Sequence, residues 1–448
     1  MYRSKYMLVV SGLALLVSLP FLSLGQNQPS GDFPSPPGTP YFANAAPVDL
    51  TQIDPNAPVS GTVLAMPPNG SVLMNPTYGR TGDPNNTPPD SNDVGNILGL
   101  RTVPTFGGAF AGQAGPSQGQ VFKYTMVGTP PSAGGTTRLP ANIDEISWNL
   151  LNPDGSVFQT VKFEPFSHLT LRSPNFRSSA YTSSPTITQF ADAVQRAEFY
   201  QSLEPQNPWH TLLEPSVKSK VTINVPYFVD VAVGSQVIQA RTYFTGTARD
   251  GNTFVLMLDL VFNFLFDNEF VSDIEAGVFA TDAFNIIAFP NTFLYSLNVS
   301  NPNVPGSCCE LGFHTYFLDH VVPQDRWLGI FGSWISPGLF GTSFLDVTAL
   351  SHEISETFND PFLDNATPIW QFPGQPANST MCQGNLETGD PIEGLPDATF
   401  PVTLDGYTYH PQNEALLPWF GMGTSNALNG AFSYPDTTVL PHAALPCP

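Results

Sequence analysis

The sequence predicts an α+β fold: a Pro/Gly-rich N-terminal arm, then a β-rich region with one helix, then a C-terminal domain of mixed sheet and one chemistry-bearing helix. Three observations carry this expectation. Charged residues make up only 12 % of the 448, while Phe (34), Pro (46) and Gly (37) abound, as expected of a strand- and loop-rich extracellular fold with an aromatic core. Short apolar runs bounded by turn residues recur from residue 120 onward. Helical spacing marks the segments 188–203 and 346–358.

The chain starts with Arg3 and Lys5, runs apolar over 7–24, and meets Gln26-Asn27-Gln28. That pattern is a secretory signal over 1–25, with Ser23 and Gly25 suiting cleavage before Gln26. The apolar stretch nearly reaches spanning length, so an N-terminal membrane anchor is the alternative. No later run combines that length with absence of charge: 255–266 carries Asp259 and is followed by Asp267 and Glu269. The mature chain is therefore expected to be secreted, with no stable membrane span. Removing Arg3 and Lys5 leaves 13 Lys+Arg against 37 Asp+Glu, a formal charge of −24. So few cations argue against nucleic acid as a partner, because phosphates would repel the chain.

From 26 to 115 Pro, Gly, Asn and Ser dominate, and only short apolar pieces such as Val63-Leu64-Ala65-Met66 appear. This arm or linker buries too little apolar surface to fold alone, although pieces of it can lie along a neighbouring sheet. The next region, 116–214, opens with a strand at 121–127. A hairpin follows, with arms at 146–151 and 156–163 about the turn Asn152-Pro153-Asp154-Gly155. Its helix, 188–203, aligns Phe190, Val194, Ala197 and Gln201 on one face. The last region, 215–448, begins with strand-like runs at 221–229, 235–244 and 253–266, the last two joined by the turn Arg249-Asp250-Gly251-Asn252. Further apolar runs at 284–289 and 292–297 flank Pro290, and another lies at 313–317. Cys308, Cys309, Cys382 and Cys447 suit one or two disulfides in an oxidising compartment, the adjacent pair joining distant partners.

The segment 346–358 follows a Gly-rich loop and is stopped by Asn359-Asp360-Pro361; Asp346 is a plausible N-cap. At about 100° per residue, Val347, Leu350, Ile354 and Phe358 share one arc. His352 and Glu356 share the opposite arc with Glu353 beside them, facing a cleft or solvent. Two ligands one turn apart can hold a metal, and a carboxylate next to the first can take a proton from metal-bound water. Zinc is the expected cofactor. With Glu356 where a second histidine is usual, calcium or manganese are alternatives. A helix with a solvated His/Glu face explains the spacing equally well. A third ligand would come from Asp360, Glu387 or Asp390, or from His314 or His320.

Ser351-His352-Glu353-Ile354-Ser355-Glu356 through Asn359-Asp360-Pro361, then Trp370 and Glu387-Thr388-Gly389-Asp390, with Cys309 to His314 upstream, resembles the phosphate-induced protein/EXORDIUM family and its secreted bacterial relatives. The likeness covers 305–390. Ser351 stands where the family often has Gly, and Asp390 is followed by Pro391-Ile392 rather than a nearby cysteine. The resemblance implies a zincin-like helix, a metal site and a cell-wall setting. Two functions are expected from these readings. In one, a zinc peptidase uses His352, Glu356 and Asp390 or Glu387 as ligands and Glu353 as general base, acting on a peptide beside an edge strand at 286–289. In the other, a non-catalytic surface protein binds cell-wall polymer or protein and carries a structural metal.

Overall fold

The computed structural model describes residues 63–64 and 94–448, apart from 182–185, 204–206, 234–235, 320–321, 323, 342–343 and 377–378. The signal segment, nearly all of the arm and His320 lie outside the described residues.

The architecture is mixed α+β and strand-rich. Its centre is a seven-stranded sheet built on Thr136–Leu151. Phe284–Pro290 pairs parallel with this strand on one side and with Arg326–Phe340 on the other, and Gly312–Leu318 closes that edge antiparallel. The strand 286–289 is therefore interior, and the edge belongs to Gly312–Leu318. Val157–Val161 completes the expected hairpin, and His210–Val225 runs parallel to Thr136–Leu151 along its length. That strand passes through the expected boundary at 214/215, so one sheet draws strands from both sides of it. Val63–Leu64 of the arm pairs parallel with Phe228–Val229.

Side chains alternate across a strand, and this alternation sorts the central sheet into two apolar faces. Phe284, Ile286, Ala288, Leu328 and Ile330 pack with Val347, Leu350, Ile354 and Phe358 of the helix Thr348–Asn359. Ile287, Phe289, Phe313, Phe317 and Phe331 pack on the opposite face with Phe262, Phe266 and Phe270 of the helix Asp259–Ala276. Each such side chain contributes about 1.5–3 kcal/mol of burial. The sheet is thus held between two helices. Close approach of the first helix needs Gly332, where a Cβ would sit 2.8 Å from Leu350 Cδ1.

Three expectations need correction. The run 253–266 is strand only over Thr253–Leu258; from Asp259 it is helix. A run interrupted only by Asp259 and Asn263 gives little period to betray the change, and the helical spacing becomes visible only when Phe262, Phe266 and Phe270 are read together. Asp346 does not cap the helix, whose N-cap is Val347; its Oδ1 accepts instead from the backbone of Val347 and His410. Cys308 and Cys309 are bonded to each other, and Cys382 pairs with Cys447. The C-terminal segment lies against the 366–371 strand, where Cys447 N donates to Ile369 O, so the two distant cysteines meet and leave the adjacent ones together.

Candidate metal centre

Every residue of Thr348–Asn359 is buried, including the polar ones. This excludes the solvated His/Glu face. The helix is enclosed because its apolar arc lies on the sheet while its polar arc meets the edge strand Gly312–Leu318 and the 385–390 loop. Ser351 uses its hydroxyl fully: it donates to Thr348 O and accepts from Gln412 N.

His352 and Glu356 come together as the helical spacing requires, Nε2 lying 3.0 Å from Oε2. Asp390 Oδ1 is 3.7 Å from the same nitrogen, and these three ligand atoms lie within 4.8 Å of one another. The other oxygen of Glu356 accepts from Gly389 N at 3.0 Å, which ties the loop to the helix. Gly389 must be glycine here, since a Cβ would sit 2.5 Å from His352 Nδ1.

His314, on the edge strand, joins from the other side. Its Nδ1 is 3.4 Å from Glu353 Oε2 and 3.5 Å from Glu356 Oε2. Its Nε2 donates to the backbone carbonyl of Asp360 at 3.2 Å, and Glu387 Oε2 is 3.7 Å from that nitrogen. Glu387 therefore sits by His314, and Asp390 sits by His352. The side chain of Asp360, which caps the end of the helix, accepts from the backbone of Asp364 and Asn365.

The site is shut off from solvent. Relative exposure is 6 % at His314, 2 % at His352, 1 % at Glu353, 0 % at Glu356, 2 % at Asp390 and 9 % at Glu387. Buried Trp370 donates its indole N–H to Asn385 O, Ala415 N donates to Thr388 O, and Gln412 Nε2 donates to Gly389 O. Both the Trp370 strand and the C-terminal segment thus clamp the loop that carries Glu387 and Asp390.

Burial governs the electrostatics. It pushes the carboxyls of Asp390, Glu387 and Glu414 well above the usual range, and the charge of Glu356 adds to the rise in each; His352 partly offsets it for Asp390 and Glu414, and His314 does so for Glu387. Burial also raises Glu356, but the charges of His352 and His314 outweigh it and hold this carboxyl low. Burial lowers both imidazoles, but the surrounding carboxylates outweigh it and raise them well above the ordinary histidine range: Glu387, Glu353 and Glu356 around His314, and Glu356 and Glu353 around His352. Glu414 belongs to this electrostatic surround and had no motif to announce it; a buried position 61 residues beyond Glu353 leaves no local signal.

No protein family, no curated protein and no solved structure matches this chain.

Proposed function

We propose that this chain is an exported metal-binding protein in which His352, Glu356 and Asp390 hold a divalent cation in a closed, structural centre. The supporting observation is the convergence of three buried ligand atoms. His352 Nε2, Glu356 Oε2 and Asp390 Oδ1 are buried, lie close together, and none has an aligned hydrogen-bond partner. Zinc bonds of about 2.0–2.1 Å at tetrahedral angles place donor atoms roughly 3.3 Å apart, close to the 3.0 and 3.7 Å separations from His352 Nε2. One nitrogen and two carboxylates suit zinc first and manganese next; calcium prefers an all-oxygen shell. Burial argues for a structural role, because a catalytic zinc keeps an open coordination position. Two disulfides fit the oxidising surroundings of an exported protein. Such a centre would brace a surface protein that binds peptide or cell-wall polymer, in keeping with the resemblance carried by the same helix.

A second reading is a zincin-like peptidase with Glu353 as general base. It is favoured by one observation: Glu353 Oε1 is 4.0 Å from His352 Nε2, next to the sheet edge Gly312–Leu318 on which a peptide could align. Metal analysis of natively purified chain, with proteolysis by wild type and Glu353→Gln compared, separates the two. The structural reading expects bound metal and no Glu353-dependent hydrolysis. Metal-free protein overturns the centre, and hydrolysis abolished in Glu353→Gln replaces the structural role with the peptidase.

A further inference from the structure

The carboxylate of Glu356 serves two sets of converging groups. The first is His352, Glu356 and Asp390. The second is His314, Glu353 and Glu356, whose ligand atoms also fall within 4.8 Å of one another. The geometry points to a second cation site at His314, Glu353 and Glu356, making the centre a two-metal cluster bridged by Glu356. This inference rests on the metal-binding reading above and assigns Glu353 a ligand role in place of the general base.

The position of His314 carries the argument. A backbone carbonyl can only accept, so at the 3.2 Å contact to Asp360 O the ring donates from Nε2. Nδ1 faces two carboxylate oxygens, hydrogen-bonding to Glu353 Oε2 at 3.4 Å and lying 3.5 Å from Glu356 Oε2. One nitrogen and two carboxylate oxygens thus converge where a cation would take the place of the Nδ1 proton. Metal-bound histidines characteristically donate their other ring N–H to a carbonyl or carboxylate, the arrangement His314 has with Asp360 O and Glu387 nearby.

Glu353, Glu356 and Asp390 with His314 and His352 supply buried carboxylate oxygens and imidazole nitrogens for two cations. Because Glu356 Oε1 is committed to Gly389 N, a bridge must run through Oε2, the atom that approaches both His352 Nε2 and His314 Nδ1. Metals so bridged lie about 3.5–4 Å apart. Gly312 supports the second position: its missing Cβ would sit 2.7 Å from Glu353 Oε1, so the edge strand can press the carboxylate toward His314.

The test uses the full mature chain dialysed to equilibrium against zinc, then against manganese, with bound metal per chain measured by plasma mass spectrometry and the manganese form examined by electron paramagnetic resonance. Wild type should hold two ions per chain and give an exchange-coupled manganese spectrum. Glu353→Gln and Asp390→Asn should each hold one ion with an isolated six-line spectrum, and Glu356→Gln should lose both. The wild-type measurements stand whether or not a variant folds. One ion per chain in wild type overturns the two-metal inference and leaves the single-metal reading intact. Two ions without coupling overturn the Glu356 bridge, and no bound metal overturns both readings.

Discussion

The two faces of the central sheet each bury a cluster of carboxyl groups, and the two clusters solve the same problem differently. On the face of the helix Thr348–Asn359, Glu353, Glu356 and Asp390 meet two imidazoles. On the opposite face Asp144 of the Thr136–Leu151 strand meets Glu269 and Asp273, one turn apart on the helix Asp259–Ala276, with no imidazole in the set. Burial and mutual repulsion push Asp144 up to about 7 and Asp273 to about 8, so these acids hold their protons to higher pH than an ordinary carboxyl. Where imidazoles are present, Glu356 is instead held ionised. The cluster with imidazoles thus keeps one of its carboxylates ionised, whereas the cluster without them raises its acids.

The largest effect expected from breaking this contrast comes from the Cys382–Cys447 disulfide, which fastens the segment leading to Glu387 and Asp390. It closes 65 residues, and its loss through Cys382→Ser with Cys447→Ser should cost about 4 kcal/mol in denaturant unfolding. Metal affinity should fall with it. Unchanged affinity in the double variant would show that the hydrogen bonds from Gly389, Gln412 and Ala415 hold the loop by themselves.

The proton-holding cluster sharpens the contrast through pH. The folded-state values of Asp144 and Asp273 are raised above the ordinary 3.8, so the folded chain binds more protons than the unfolded one between about pH 4 and 8. Their stabilisation is complete below pH 4 and is lost as pH rises through 7 and 8, on the order of 4 kcal/mol for Asp144. Asp144→Asn, which stays neutral at every pH, should flatten this decline in melts taken from pH 5 to 9. A wild-type curve that does not fall toward pH 9 would refute the neutral state of the cluster.

The smallest effect belongs to the glycine wall. Gly389→Ala puts a methyl against the His352 ring and should cost about 1–3 kcal/mol while weakening metal binding. The pH response attributed to Asp144 should be unaltered in that variant, since the two clusters lie on opposite faces of the sheet. A variant that binds metal as wild type does would show that the His352 ring has room to move.

Much of the strand content was legible because alternating or bounded apolar runs have local causes. The hairpin about Asn152-Pro153-Asp154-Gly155, the strand at 121–127 and the strands flanking Pro290 follow from their own residues. The Asp259–Ala276 helix was hidden because the apolar run continues from the strand into its first turns with only Asp259 and Asn263 to interrupt it. In the centre, His352, Glu353 and Glu356 were legible from spacing on one helix. The place of His314 was not, since a histidine in an aromatic strand has no local mark until the sheet edge brings it to Glu353.

By itself the sequence determined what depends on neighbours along the chain: the strand-rich composition, a helix within 346–358 and the common face of His352 and Glu356. The tertiary structure decided what depends on residues brought from afar: that this face is sealed rather than solvated, that Asp390 meets His352 while Glu387 meets His314, and that Cys382 finds Cys447. The physical reason is reach. Helical and strand periods are set within a few residues, whereas burial and the charge around a buried group are sums over every segment that packs against it.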